Sequence, residues 1–209
     1  MEAANKRTSY TKPIRRQARN TLNLLSDVVE MLLDQSLPPP MHSDSKTAKT
    51  KVLFVCWGNI CRSPMAEGIF RRMVADRGLL GEIFVDSAGT GGHTTGKRSD
   101  WRARACLRKR GINISDKRAR QFERNDFKSF DYIVVMDHGN FNEAVGLADD
   151  SNQTNKVTLL LSYLPGREPS DIADPYGKSR RMFEETCLLI EKGCQALLQH
   201  IVNADCVVC

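Results

Sequence analysis

Val52–Pro64 reads VLFVCWGNICRSP, and the order of its parts decides the fold. Lys51 to Val55 is a short β-branched and aromatic run of the kind that forms a buried strand. From Ser63 onward, Pro64 followed by Met65, Ala66, Glu67, Ile69 and Phe70 reads as the opening of a helix, with proline near its start. The loop between strand and helix presents several backbone N–H groups, and the positive end of a helix, toward one point. An oxyanion would sit there without any added cation.

Nucleotide-binding loops do this passively, but the GxxxxGK[ST] signature is absent and Cys56 occupies the strand end. A free thiol titrates near ~8.5, and a helix N-terminus, converging N–H donors and a nearby arginine all favour its thiolate. Cys56 is therefore the candidate nucleophile. Arg62 offers a planar fork for two phosphoryl oxygens, which a lysine point charge does not reproduce. Ser63 is placed to donate a hydrogen bond to the sulfur. Gly58, Asn59, Ile60 and Cys61 complete the cradle. Taken alone, a C-x5-R match also arises by chance from a buried structural cysteine and a surface arginine.

CWGNICRSP after a hydrophobic strand resembles the signature of the low molecular weight protein tyrosine phosphatases, and a matching DPY follows at Asp174, Pro175 and Tyr176. Further similar stretches are VDSAGT, RARQF and FDYIVVMD, so the likeness runs from Lys51 to about Val202. The resemblance implies hydrolysis of phosphotyrosine through a cysteinyl-phosphate, with no metal or organic cofactor and with phosphotyrosine-containing proteins as partners. It makes Asp174 the general acid of the first step and the activator of water in the second, and Asn59 a residue internal to the loop. An Asp directly before Pro sits in an extended or turn segment, which suits a side chain reaching across to the cradle. Trp57, Tyr176 and His93 are the candidate walls for a phenyl ring, giving a depth that favours phosphotyrosine over phosphoserine. Cys61 is the candidate partner for a reversible disulfide when peroxide oxidises Cys56.

Two departures from the family pattern stand out. Gly177 takes the place where many relatives carry a second tyrosine, and SDKRARQ has Lys117 where a histidine commonly supports the loop asparagine. An arsenate reductase on the same fold is the alternative reading, with Cys187 and Cys194 as a resolving pair. Those two cysteines, however, fall on an apolar stripe with Phe183, Ile190, Leu197, Leu198 and Ile201, where core thiols are expected, as is Cys106.

Outward from the motif, strands at about 51–56, 82–87, 131–136 and 156–160 alternate with helices near 63–77, 98–110, 138–147 and 178–203. This pattern predicts a small doubly wound, four-stranded parallel sheet with helices on both faces, a three-layer, flavodoxin-like α/β arrangement. Ligands in such sheets bind beyond the carboxyl ends of the strands at a topological switch point, where Cys56 lies. The phosphatase domain is expected over 51–203, between an N-terminal extension of residues 1–50 and a tail of residues 204–209.

Composition narrows the class further. The 209 residues are 41% hydrophobic, and no run approaches the ~18 apolar residues of a transmembrane helix. Seven cysteines, an odd number, argue against a disulfide scaffold and for a reducing, cytoplasmic setting. The net charge of +6 is shared between the extension and the domain. Only the first nineteen residues are lopsided, with Lys6, Arg7, Lys12, Arg15, Arg16 and Arg19 against Glu2. Without aromatic interleaving beyond Tyr10 they make no nucleic-acid platform. That Arg-rich start resembles an organellar transit peptide, which would place the protein in a stroma or matrix, but Asp27, Glu30 and Asp34 follow soon after. Leu22, Leu25, Val29 and Leu32 recur at helical spacing, and Pro38 to Pro40 ends that helix. At the other end, Cys206 to Cys209 has the C-a-a-X form with an atypical last residue and no polybasic segment, and is read as chance.

Overall fold

The structure, a computed structural model, describes residues 48–206 apart from 167 and 169, together with positions 28, 29, 32 and 37. Positions 28, 29 and 32 are helical, while the rest of the expected 22–32 helix, the proline-rich linker and the last three residues lie outside the described residues. The chain divides into two units, Met1–Leu37 and Pro38–Cys209. Every described strand belongs to the second.

In that unit β1 spans Thr50–Cys56, α1 Arg62–Asp76, β2 Ile83–Gly89, α2 Trp101–Arg108 and α3 Asp126–Ser129. The chain continues through β3 Tyr132–Val135, α4 His138–Val145, α5 Ser151–Thr154, β4 Val157–Leu159 and α6 Arg180–Cys206. All strand pairs are parallel and the strand order is β2-β1-β3-β4. The chain order reverses on either side of β1, so the switch point falls at the end of the strand that carries Cys56.

Because β1 is central, both of its faces are buried. Val52, Phe54 and Cys56 pack with Met65, Phe70, Leu107, Phe183 and Ile190 on one side. Leu53 and Val55 join Phe122, Phe127, Ile133, Val135 and Ala144 on the other. A strand buried on both faces reads as an unbroken apolar run, which is why VLFVC shows no alternation.

The boundaries differ from the sequence expectations in ways that have local causes. The middle helix is shorter than 98–110: the Asp100 side chain caps it by accepting from the Arg102 N–H at 2.8 Å, and Gly111, at φ 68°, turns the chain after its end. Beyond Leu159 the chain tightens into a 3-10 turn, Leu160–Tyr163, instead of extending β4. Two single-turn helices, α3 and α5, are too short to leave a periodic signal. The last helix runs on to Cys206, taking in the first three residues expected to be tail. Among the described residues no helix is long and apolar enough to cross a membrane.

Candidate active site

Cys56 ends β1, and the five residues after it turn sharply into α1. Their carbonyls are drawn outward by neighbouring segments. The Cys56 carbonyl accepts from Thr90 N–H at 2.9 Å, Trp57 from Gly91 at 2.8 Å and Ile60 from Asp100 at 2.7 Å. The Gly58 carbonyl accepts from the Thr94 hydroxyl at 2.5 Å. In a trans peptide C=O and N–H point in opposite directions, so carbonyls fastened outward turn the N–H groups of Trp57, Gly58, Asn59 and Cys61 inward. The N-cap residue of α1, Cys61, makes no side-chain cap and the first turn holds no acidic residue, which leaves the helix-end donors and the dipole to the same centre. Gly89 at the end of β2 lets this loop approach closely: a Cβ there would lie 2.8 Å from the Trp57 carbonyl and 2.9 Å from the Asn59 nitrogen.

Asn59 is the one described non-glycine residue with positive φ, at 50°. A left-handed conformation costs about 1–3 kcal/mol and persists only when the surroundings over-determine it. Here they do. Its amide nitrogen donates to Ser63 Oγ at 2.9 Å and to Ser87 Oγ at 2.8 Å, and its Oδ1 accepts from the Arg120 N–H at 3.0 Å. Ser63 Oγ in turn lies 3.1 Å from Cys56 Sγ. The sulfur, the serine and the strained asparagine thus form one buried chain.

Arg62 is 2% exposed and reaches three groups. Its Nη1 donates to Asp137 Oδ2 at 2.5 Å and to the Ile172 carbonyl at 2.8 Å, while Nη2 lies 3.5 Å from Asp174 Oδ2. Burial works against its charge, but Cys56, Asp137 and Asp174 outweigh that penalty and hold the guanidinium charged more firmly than usual. The side chain of Asp174 is about half exposed, and its Oδ1 accepts from Tyr176 N–H at 3.1 Å. Cys56, Cys61, Arg62, Asp174, Trp57, His93 and Tyr176 line one cavity of about 130 Å³. Trp57 and His93 stand together on the rim with ring centroids 4.2 Å apart, and Trp57 and Tyr176 remain 47% and 59% exposed.

The family model described as low molecular weight phosphotyrosine protein phosphatase matches residues 51–206. Low molecular weight protein-tyrosine-phosphatase YfkJ of Bacillus subtilis is 44% identical over 150 residues, 72% of this chain and 94% of that protein. The chain belongs to the low molecular weight phosphotyrosine protein phosphatase family. The Homo sapiens low molecular weight phosphotyrosine protein phosphatase is 40% identical over 159 residues, covering 74% of this chain and 98% of the relative. The crystal structure of YfkJ superposes with a TM-score of 0.71 at 42% identity, covering 75% of this chain and 97% of that one.

Lys117, read in the sequence as a departure from the family pattern, sits behind the loop among carboxylates. The ammonium sits 2.6 Å from Asp86 Oδ1 and 2.8 Å from Glu67 Oε2, and Glu67 Oε2 also accepts from Ser87 Oγ at 2.6 Å. Support for Asn59 therefore runs from Lys117 through Glu67 and Ser87, not directly. Burial pushes the Asp86 carboxyl up, yet Lys117 and Arg120 outweigh it and hold it below the usual range. Cys61, buried beside Cys56, has its thiol pushed up by burial and further by Asp100, Cys56 and Asp174, against the opposing pull of Arg102. Cys106, Cys187 and Cys194 are free and buried.

Sequence reasoning singled out every loop residue but missed Asp137, Ser87, Arg120, Glu67, Thr94 and Lys97. Asp137 had a signal: an Asp just after the apolar β3 run, at the start of a helix. Thr94 and Lys97, which also line the cavity, sit in a glycine-rich stretch with no pattern to mark them.

Proposed function

We propose that this cleft hydrolyses phosphotyrosine and small aryl phosphates through a cysteinyl-phosphate intermediate. The observation that carries the proposal is the convergence on one cavity of the Cys56 thiol, the Arg62 guanidinium and the Asp174 carboxyl, from residues more than a hundred positions apart. In this reading the phosphate dianion sits among the inward N–H groups and Arg62, and Cys56 attacks phosphorus opposite the leaving oxygen. Asp174 protonates the departing phenolate and later, as carboxylate, takes a proton from the water that attacks the cysteinyl-phosphate. Ser63 donates to the sulfur as it departs. The substrate ring stands between the Trp57 and His93 pair and Tyr176.

Cys61 serves as the second thiol of a reversible disulfide once peroxide has oxidised Cys56, its sulfur displacing water from the Cys56 sulfenic acid. A catalytic thiol of this kind works in a reducing compartment such as the cytoplasm. The arsenate reductase reading is disfavoured because Cys187 and Cys194 are fully buried in α6 and the relatives carry the phosphatase name. Purified protein is expected to hydrolyse para-nitrophenyl phosphate and a phosphotyrosine peptide in preference to a phosphoserine peptide. Cys56→Ser is expected to lower the rate by at least about 10³-fold while retaining binding, so that it traps phosphotyrosine proteins from cell extract. Recovery of phosphoserine proteins alone would overturn the ring selectivity.

A further inference from the structure

Residues 170–176 bring Asp174 to the cradle, and the chain holds this segment by an arrangement of side chains that the roles above leave unassigned. Ile172, fully buried, donates its N–H to the Met136 carbonyl at 2.8 Å and gives its own carbonyl to Arg62. One residue earlier, Asp171 Oδ1 accepts the backbone N–H of His138 at 3.0 Å and lies 2.6 Å from His138 Nδ1. His138 is the first residue of α4, directly after Asp137, whose Oδ1 caps that helix by accepting the Asn140 N–H at 2.7 Å and whose Oδ2 grips Arg62. The helix start thus holds two carboxylates, one fixing the phosphate-binding arginine and one fixing the acid-bearing segment.

We infer that Asp171 and His138 are positioning residues that anchor the Asp174 segment to the N-terminus of α4, setting the acid in register with the leaving oxygen. The inference rests on the reading of Asp174 as the general acid. Asp171 is suited to the task as an anion: burial raises its carboxyl, but the His138 bonds, the His138 charge and the Arg62 field together outweigh that and hold it below the ordinary range. A carboxylate has no proton to give, so the His138 Nδ1–H is the donor in the 2.6 Å contact. The backbone N–H adds a bond that does not depend on a flexible side chain, and both meet the positive end of an eight-residue helix. Asp171 is separated from Asp174 by only Ile172 and Ala173, of which Ile172 is pinned through both its N–H and its carbonyl, so a shift at Asp171 is passed to the acid with little slack.

General-acid placement has a signature that a loss of fold does not share. Protonation matters most when the leaving oxygen is strongly basic, and hardly at all when it departs readily as an anion. The test is kcat/KM for wild type, Asp171→Ala, His138→Ala and Asp174→Asn over aryl phosphates running from dinitrophenyl phosphate to phenyl phosphate and phosphotyrosine. Asp171→Ala is expected to lose about tenfold on phenyl phosphate and less than about twofold on dinitrophenyl phosphate, a misplacement effect smaller than removal of the acid itself. His138→Ala is expected to show the same trend more weakly, since its backbone N–H remains. In an Asp174→Asn background neither substitution should cost anything further. Equal losses across all leaving groups, an additional loss in the Asp174→Asn background, or unchanged kinetics in Asp171→Ala would overturn the anchoring role while leaving the acid assignment intact. A leaving-group slope unaltered by Asp174→Asn would overturn the acid assignment, and the anchoring with it.

Discussion

Asp137 joins two functions in one side chain. One oxygen caps α4 and the other is the short partner of Arg62. Removing this half-buried counter-charge leaves the arginine free to shift, and displacement of a positioned group by about 1 Å costs on the order of 10²-fold in rate. Asp137→Ala is therefore expected to lower kcat/KM on para-nitrophenyl phosphate by about that factor and, through the lost cap, to destabilise the fold by about 0.5–2 kcal/mol. Asp137→Asn separates the two effects: asparagine caps helices as well as aspartate, so thermal unfolding should stay near wild type while activity falls. Asn59 teaches the opposite lesson at the same scale. Its place inside the loop was legible through the family resemblance, but its left-handed φ and the serine and arginine that satisfy its amide were not, since neither Ser87 nor Arg120 lies within the loop.

Among the elements, the pairing of α1 and α6 across one face of the sheet carries most of the core, and it relies on close approach. Gly193 in α6 faces the turn after β4, where an added Cβ would lie 2.6 Å from Leu160 Cγ. Alanine is the better helix former by about 1 kcal/mol, yet overpacking of a filled site typically costs about 1–3 kcal/mol. Gly193→Ala is accordingly expected to be net destabilising, read as a lower urea midpoint, with KM for aryl phosphates unchanged because neither Gly193 nor Leu160 lines the cavity. Helices of ordinary length were legible from periodicity, and strands from short apolar, β-branched runs. α3 and α5 were not, because a single turn does not complete one hydrophobic period.

For the molecule as a whole, every residue assigned a role lies in the unit that begins at Pro38, and the family match covers 51–206. A truncated protein starting at residue 48 is expected to hydrolyse para-nitrophenyl phosphate with kcat/KM within about twofold of the full chain, as a domain with its own core should. A larger loss would give residues 1–47 a part in catalysis. What the sequence determined by itself is the cradle: strand, thiol, loop, arginine and helix follow within thirteen consecutive residues, so their relative placement is local backbone geometry. The strand pattern also pointed to a parallel sheet with this cradle at the carboxyl end of its first strand. Only the tertiary structure decided what surrounds it. Arg62 meets Asp137 across 75 positions and the Ile172 carbonyl across 110, and Asp171 meets His138 across 33. Such pairs leave no mark in local pattern, because they exist only once the β2-β1-β3-β4 order sets the end of β3 beside the end of β1 and the acid segment closes over both.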